Sequence, residues 1–227
     1  CMTTGVLADQ ARLAAEEAQR ATARARQELL TPIAKAWSTD IGVEVASMGV
    51  QIHGGMGFIE ETGAAQHYRD ARIAPIYEGT NGIQAIDLIG RKVPMENGGV
   101  MDALCADMSA TVEDLVATPG LDGVAARLEA GISALERATD WVLKNKGPNA
   151  LAAATPYLKL AGDVIGGWML ARQALAVAGG EDAWSRSKAA LARVYASQVL
   201  ALAPGLADGL TENADDLEAV GADALGA

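Results

Sequence analysis

Apolar side chains recur every three or four residues along most of the chain, which is the spacing of an amphipathic helix. One such stripe begins after Thr31-Pro32 and continues to the glycine pair Gly54-Gly55. Threonine caps a helix well, proline fits its first turn, and glycine adopts the left-handed conformation that ends it. The pattern therefore predicts one helix over about residues 4–30 and a second between the proline and the glycines. The stripe of the second helix comprises Ile33, Trp37, Ile41, Val45, Met48 and Ile52.

Glycine and proline divide the following residues into short segments. Gly54 to Gly63 has the composition of a loop, and a short helix is predicted around Ala64 to Arg72. The segment Ile73 to Gly79 contains Pro75 and is predicted to be non-helical. Thr80 can cap a further helix that runs to about Val93.

The segment Pro94 to Gly99 has the composition of a linker and places a domain boundary between residues 96 and 97. Four helical stretches are expected beyond it, the third beginning at Thr155-Pro156, and the acidic residues from about Thr211 are expected to fray. No stretch alternates apolar and polar positions as a strand would. The predicted class is all-α: a helical bundle over 1–96, followed by a second helical domain over 97–227. The four stretches are about 101–117, 124–146, 156–178 and 183–203.

Composition and charge exclude some classes of function. Hydrophobic residues make up 50% of the chain and aromatic residues only 4%, which suits closely packed helices with small side chains. The formal net charge of −11 repels phosphate backbones, so we expect no nucleic-acid partner. No apolar run reaches the roughly 18 residues of a membrane helix, so we expect no membrane span.

The cysteines and histidines form no recognisable site. Cys1 and Cys105 are scattered, which suits a reducing cytoplasm, and we place the protein there. His53 and His67 stand fourteen positions apart with no further ligand at metal-binding spacing, so no metal site is expected. The chain opens in helical sequence with neither a signal peptide nor an initiator methionine. We therefore expect a fragment or a processed piece of a longer protein.

Three motifs change this picture of an anonymous helical bundle. Residues 51–58 read Gln-Ile-His-Gly-Gly-Met-Gly-Phe, residues 68–73 read Tyr-Arg-Asp-Ala-Arg-Ile, and residues 76–84 read Ile-Tyr-Glu-Gly-Thr-Asn-Gly-Ile-Gln. In order and spacing they resemble the carboxyl-terminal helical domain of the acyl-CoA dehydrogenase family, over roughly residues 4–93. Residues 157–168 resemble the extra helical domain of a bacterial subgroup similar to 3-methylmercaptopropionyl-CoA dehydrogenase.

The resemblance implies that Glu78 is a catalytic base. In this family the corresponding glutamate removes the α-proton of an acyl-CoA thioester, and the β-hydrogen leaves as hydride to FAD, giving a trans-2-enoyl-CoA. Tyr77 and Gly79 would then lie at the substrate. A carboxylate beside Ile76 and Tyr77 would be poorly solvated, which makes it a stronger base, and Gly79 would let the backbone approach the substrate closely. The alternative interpretation is a surface-loop glutamate with no catalytic role.

The resemblance also implies two segments that bind FAD. The first would meet the pyrophosphate and adenosine, usually from the neighbouring subunit, because glycines allow main-chain N–H groups to reach phosphate oxygens. The second opens a helix, whose first N–H groups are free. Many relatives carry glutamine or glutamate where this chain has Gly82, which offers only backbone. A glycine-capped helix end explains the first segment equally well, and both interpretations can hold together. The residues are Gln51, Ile52, His53, Gly54 and Gly55, then Thr80, Asn81 and Gly82.

By the same resemblance the complete enzyme would be a homo-oligomer, either a dimer or a tetramer, that passes electrons to an electron-transfer flavoprotein. Two preceding regions would complete the active site, on this polypeptide or on a separate chain. Two alternatives remain open from the sequence: an acyl-CoA oxidase that reoxidises its flavin with oxygen, and a degenerate helical module that only scaffolds. The acyl chain length is not indicated by these residues.

Overall fold

The computed structural model describes residues 1–212 together with 220 and 226. All regular elements of these residues are helical, and the all-α prediction is confirmed. The chain divides into two compact units, Cys1–Gly90 and Arg91–Ala227, a few residues before the predicted boundary. The helices are α1 (Met2–Leu13), α2 (Glu17–Ile52), α3 (Gly55–Phe58), α4 (Ala64–Ala71), α5 (Asn81–Asp87), α6 (Gly99–Val116), α7 (Asp122–Lys144), α8 (Pro148–Ala176), α9 (Ala183–Gln198) and α10 (Ala203–Glu212).

The amino-terminal unit is built around the long helix α2. The helices α1, α3, α4 and α5 each pack against it. Leu29, Leu30, Ile33 and Ala36, near the middle of α2, are almost wholly buried, and Ala85 of α5 is buried too. Because α2 is the common partner, it fixes where the loops between the shorter helices lie.

The predicted helix start at Thr31-Pro32 is wrong. Helix α2 runs through both residues, with Pro32 in its interior. The hydroxyl of Thr31 donates to the carbonyl of Gln27 at 2.7 Å, one turn back, rather than capping a new helix. Proline removes only one backbone hydrogen bond, and the ring of Pro32 is buried, which offsets part of that cost.

The break in helical structure lies earlier, between α1 and α2. Ala14 has an extended conformation with ψ of 143°, and Glu16 is also extended. The guanidinium of Arg20 donates to the carbonyl of Ala14 at 2.6 Å and to that of Ala15 at 2.9 Å. These bonds occupy carbonyl groups that the end of α1 would otherwise leave without partners.

The apolar stripe of α2 is buried only along its first part. Ile33 is 4% exposed, whereas Val45, Met48 and Ile52 are more than half exposed. The second half of α2 therefore presents apolar side chains that no described residue covers.

The predicted loop from Gly54 to Gly63 is wrong, because it contains α3 and a 3-10 turn at Glu60–Thr62, with Gly57 packed closely on the backbone of α2. The other local predictions up to residue 93 are confirmed. Gly54 takes a φ of 60° directly after α2, as a glycine at a helix end does. The short helix α4 and the non-helical segment after it lie where expected. The hydroxyl of Thr80 accepts a hydrogen bond from the backbone N–H of Ile83 at 3.3 Å and so caps α5.

The carboxyl-terminal unit packs α6 to α10 around a buried stripe on α8. Tyr157 and Val164 are fully buried there. The hydroxyl of Tyr157 lies 2.7 Å from that of Thr139 on α7, and the indole N–H of Trp168 donates to Thr111 on α6 at 2.8 Å. The polar atoms of this stripe are thus bonded in the core.

Helix α8 begins eight residues earlier than predicted, at Pro148, so a start at Thr155-Pro156 is wrong. Pro156 lies inside the helix and is exposed. The predicted fourth stretch is confirmed as α9 with a 3-10 turn at Leu200–Leu202, whereas α10, which begins where that stretch ends, was not predicted. The expected fraying falls mainly on residues 213–227, which lie, except for 220 and 226, outside the described residues.

One segment, Ala183–Thr211, is long and apolar enough to cross a membrane by length and composition, with a mean hydropathy of 1.2 over a window that is 22% buried. It spans α9, the turn and α10. Core helices of folded domains meet the same criterion, and Ala192, Ala196 and Leu200 of this segment are buried within the carboxyl-terminal unit. The expected absence of a membrane span stays a prediction.

Candidate functional site

Glu78 lies in the loop between α4 and α5 and has an unusual backbone conformation. Its φ is 54° and that of the next residue, Gly79, is 84°. A left-handed conformation costs a residue with a Cβ about 1–2 kcal/mol, while glycine adopts it freely. Strained residues of this kind persist only where their surroundings determine them, and they cluster at functional sites.

Backbone hydrogen bonds shape this loop. The N–H groups of Ile76 and Tyr77 both donate to the carbonyl of Ile73, at 3.0 and 3.1 Å. The N–H of Asn81 donates to the carbonyl of Pro75 at 3.0 Å. The last bond joins the two ends of the segment that contains Glu78, so the loop closes on itself.

The side chain of Asn81 fastens the loop to α2. Its amide nitrogen lies 3.0 Å from the carbonyl of Ala36, 2.9 Å from the hydroxyl of Thr39 and 2.8 Å from a carboxylate oxygen of Asp40. The sequence analysis assigned Asn81 to the cofactor. In this structure its side chain is turned toward α2 and its backbone N–H donates to Pro75, so both donors are occupied within the chain.

Lys35 of α2 reaches the same loop. Its ammonium group donates to the carbonyl of Gly79 at 2.7 Å and to the amide oxygen of Asn81 at 3.0 Å. Lys35 and Thr39 stand four positions apart and therefore share a face of α2. The sequence analysis missed this polar face, although polar side chains at that spacing within an apolar helix were a usable signal.

The carboxylate of Glu78 is open to solvent in this chain. Ile76 is 49% exposed and Tyr77 is 51% exposed, so neither encloses it. Among the described residues, Glu78 has no hydrogen-bond or ion-pair partner. The chain thus presents an unpaired carboxylate on a fixed backbone, but the poorly solvated surroundings expected from the sequence require protein outside these residues.

The other candidate segment, Gln51 to Gly55, lies at the carboxyl end of α2 and is exposed throughout. A Cβ at Gly54 or Gly55 would meet open space, and the segment carries no acidic side chain. The N–H groups of His53 and Gly54 already donate to the carbonyls of Gly49 and Gln51. This leaves Gly55 as the glycine whose N–H has no described partner. An accessible main chain without negative charge fits an anionic group such as a pyrophosphate. The residues present are therefore compatible with the pyrophosphate of FAD.

A small cavity of about 200 Å³ lies beside this segment. Both histidines, His53 and His67, line it. The remaining lining residues carry no carboxylate or thiol, and the described part of the chain holds no group of three or more potential metal ligands. The other lining residues are Ala46, Gly49, Thr62 and Ala64.

The structure does not bring the two candidate cofactor segments together within one chain. The loop after Glu78 is fastened to α2 at residues 35–40, whereas Gln51 lies in the last turn of the same helix. The eleven residues from Asp40 to Gln51 correspond to roughly 16 Å along a helix at 1.5 Å per residue. One ligand meets both segments only if it spans that distance or if the segments come from different subunits.

Comparison with known families matches both halves of the chain. Residues 3–93 match the family described as acyl-CoA dehydrogenase, C-terminal domain. Residues 104–220 match the family described as acetyl-CoA dehydrogenase C-terminal like. The first match contains every candidate site residue, and the second covers most of the carboxyl-terminal unit.

Individual relatives agree with these matches. The chain is 43% identical over 226 residues to 3-methylmercaptopropionyl-CoA dehydrogenase of Ruegeria pomeroyi, a match that covers 95% of this chain and 38% of the relative. It is 32% identical over 178 residues to a butyryl-CoA dehydrogenase of Syntrophomonas wolfei, covering 75% of this chain and 28% of the relative. A short stretch of 58 residues, 26% of this chain, is 43% identical to 14% of the human mitochondrial short-chain specific acyl-CoA dehydrogenase. The chain thus spans less than two fifths of the length of these relatives.

Proposed function

Because the chain belongs to the acyl-CoA dehydrogenase family, we propose that it is the carboxyl-terminal helical part of an enzyme that converts an acyl-CoA thioester to a trans-2-enoyl-CoA. One observation carries the proposal. Glu78, within the matched residues 3–93, is an unpaired carboxylate on a backbone held in a strained conformation. Strained residues with a Cβ cluster at functional sites, and Glu78 is the one such residue within the matched range, since Glu96 and Asn97 lie beyond it.

In this proposal Glu78 removes the α-proton of the thioester. A thioester α-proton is very weakly acidic, so the base must be ionised, positioned and shielded from water. The loop supplies the position, because backbone bonds and α2 hold it on both sides. Gly79 has no Cβ to obstruct the acyl chain of the substrate. The exposed ring of Tyr77 is available to cover that acyl chain.

FAD is the proposed cofactor, and when bound it would accept the β-hydride of the substrate. The exposed backbone of Gln51 to Gly55 would meet its pyrophosphate and adenosine. Thr80 and Gly82, at the start of α5, would offer main-chain N–H groups to a second part of the cofactor. Their separation along α2 supports a site shared between two subunits, and hence a homodimer or a tetramer.

The remaining partners follow from the apolar surface of the amino-terminal unit. Val45, Met48, Ile52 and Phe58 are more than half exposed on α2 and α3. We propose that these exposed side chains contact other protein. The regions that complete the relatives, on this polypeptide or a separate chain, are the proposed partners of this surface. An electron-transfer flavoprotein is the proposed electron acceptor.

The names of the relatives suggest which substrates to try first. One relative is named for 3-methylmercaptopropionyl-CoA and another for butyryl-CoA, both with short acyl chains. We therefore propose a short-chain acyl-CoA as the substrate of the complete enzyme.

The test is anaerobic titration of the purified full-length protein with these two thioesters. The expected result is an oxidised flavin spectrum that bleaches on addition of substrate, with the enoyl product detected by mass. Oxygen consumption without another acceptor would assign the protein as an oxidase instead. A full-length protein that binds no flavin would favour the scaffolding alternative and contradict the proposal.

A further inference from the structure

We propose that Lys35 is a positioning residue for Glu78: its ammonium group holds the Gly79 carbonyl and thereby sets the direction of the Glu78 carboxylate. The inference rests on the proposed function, since it concerns the base of that reaction. The observation behind it is the pair of hydrogen bonds from Lys35 to the Gly79 carbonyl, at 2.7 Å, and to the Asn81 amide oxygen, at 3.0 Å.

The bond to the Gly79 carbonyl matters because a glycine has no side chain that restricts its backbone conformation. Without a Cβ, Gly79 has no steric preference between left-handed and right-handed conformations, so the direction of its carbonyl must be fixed from outside. Glu78 is attached directly to this residue and is itself left-handed, at a φ of 54°. Rotation of the peptide groups on either side of Gly79 would therefore swing the Glu78 side chain relative to α2.

The other contacts between this loop and α2 do not replace Lys35. Asn81 contacts Ala36, Thr39 and Asp40, and these bonds fix the first residue of α5. The bond to residue 79, next to the base, comes from Lys35 alone among the hydrogen bonds described between α2 and this loop. Loss of the ammonium group should thus leave α5 in place and free only the segment that carries the carboxylate.

The ammonium group itself is directed at the loop. Both oxygens that it contacts are neutral, and the donor carries the charge. The two hydrogen bonds are therefore charge-assisted and stronger than hydrogen bonds between neutral amides. Asp40 accepts from Asn81 within the same network. The arrangement assigns Lys35 to holding the loop and leaves proton removal to Glu78.

The expected effect is on the rate of chemistry rather than on binding. A displacement of about 1 Å at a reacting group can cost about 100-fold in rate. Replacing Lys35→Met keeps the length of the side chain and removes its donors. We expect this change to slow flavin reduction by about 10- to 100-fold while the dissociation constant of the substrate changes less than threefold.

The experiment uses the full-length flavoprotein. Its substrate is whichever of butyryl-CoA and 3-methylmercaptopropionyl-CoA reduces the flavin of the unchanged enzyme faster. Stopped-flow bleaching at saturating substrate gives the reduction rate, and a titration gives the dissociation constant. The same reduction with α-deuterated substrate reports on proton removal, and its isotope effect should increase in Lys35→Met. Lys35→Arg restores a cationic donor and should recover most of the rate. Lys146→Met is the matched control, since Lys146 is exposed in the carboxyl-terminal unit.

The possible outcomes separate this inference from the proposed function. If the unchanged enzyme reduces its flavin with neither thioester, nor with longer straight-chain acyl-CoAs, the proposed function fails, and the Lys35 inference fails with it. If the unchanged enzyme is active and Lys35→Met reduces flavin within threefold of its rate, only the Lys35 inference is overturned. Should Lys35→Met lose its flavin or fail to fold, Lys35→Gln decides. It keeps a neutral donor, and an unchanged reduction rate in it overturns the inference as well.

Discussion

Position 78 combines a backbone that disfavours its residue with a side chain that has no partner among the described residues. The cost of the left-handed conformation, about 1–2 kcal/mol, is comparable to the net worth of one charge-assisted hydrogen bond, about 1.5–3 kcal/mol. The Lys35 bond to Gly79 is therefore of the size needed to hold the loop. At this residue the conformation proposed to serve catalysis lowers the stability of the loop.

Gly79→Ala tests the conformational account directly. Its φ of 84° disfavours a side chain, and a Cβ there would lie 3.2 Å from the amide nitrogen of Gln84. We expect the free energy of unfolding to fall by about 1–2 kcal/mol. Gly42→Ala, in the middle of α2 with open space around it, should instead raise it by about 0.5–1 kcal/mol. Urea unfolding followed by circular dichroism measures both, and equal midpoints for the two variants would contradict the account.

Cys105 links stability to pH. Burial, with smaller contributions from Glu136 and Asp102, raises the pKa of its thiol from 9.0 to about 12. The unfolded chain ionises this thiol above about pH 9 while the folded chain does not, so its contribution is complete below pH 9 and is lost as pH rises toward 12. The loss is about 1.4 kcal/mol per pH unit. Cys105→Ala should flatten the dependence measured by urea unfolding between pH 9 and 10, whereas Cys1→Ala, at an exposed position, should not. An unchanged slope in Cys105→Ala would be evidence against burial as its cause.

Some helix boundaries predicted from prolines, glycines and capping residues are correct, and others are wrong. Gly54 and Thr80 end and begin helices as predicted, because a left-handed residue and a side-chain acceptor act locally. Thr31-Pro32 and Thr155-Pro156 fail, because packing of α2 and α8 outweighs the loss of one hydrogen bond at each proline. Local chemistry predicts a boundary well only where no tertiary contact opposes it.

At the candidate site, too, the sequence predicts the features that depend on adjacent residues and misses those that depend on tertiary contacts. The motif order identified Glu78 and its neighbours, since these residues are adjacent in sequence. Lys35 and Asp40 are about forty positions away, and only the packing of α5 on α2 brings them to the loop. The exposure of Glu78 was not predictable either, because the sequence analysis assigned its shielding to Ile76 and Tyr77, which are themselves half exposed.

Pro156→Ala measures how much the proline inside α8 destabilises that helix. The ring of Pro156 is exposed, so its removal restores a backbone donor without loss of buried surface. The gain is partly offset by the greater freedom of the unfolded chain, which leaves about 1–2 kcal/mol of stabilisation. Pro32→Ala should gain less, because its ring is buried. Thermal unfolding of the two variants distinguishes them, and a lower melting temperature for Pro156→Ala would show that the ring stabilises α8.

At the scale of the whole molecule, the chain holds a proposed base and part of a proposed flavin site without an enclosure for either. The carboxyl-terminal unit buries its aromatic and polar stripe, while the amino-terminal unit leaves apolar side chains of α2 and α3 exposed. Both features agree with a piece that covers less than two fifths of its relatives.

We therefore expect the chain on its own to fold but not to dehydrogenate acyl-CoA. Its apolar stripes and caps form helical cores, while the described residues leave Glu78 exposed to water. Reduction of a dye acceptor by the purified chain with added FAD and butyryl-CoA measures this, with the full-length enzyme as the positive control. Substrate-dependent dye reduction by the chain alone would show that the missing regions are not needed for catalysis.

The central claim is that Glu78 removes the α-proton, and Glu78→Gln in the full-length enzyme tests it most directly. The substitution keeps the shape of the side chain and removes its basicity. Loss of a general base costs about 10²- to 10⁴-fold, and the loss here should reach the top of that range, because water is a poor substitute for a shielded carboxylate. Anaerobic bleaching of the flavin by saturating substrate should nearly stop, while a binding titration gives an unchanged dissociation constant. Bleaching within tenfold of the rate of the unchanged enzyme would contradict the claim.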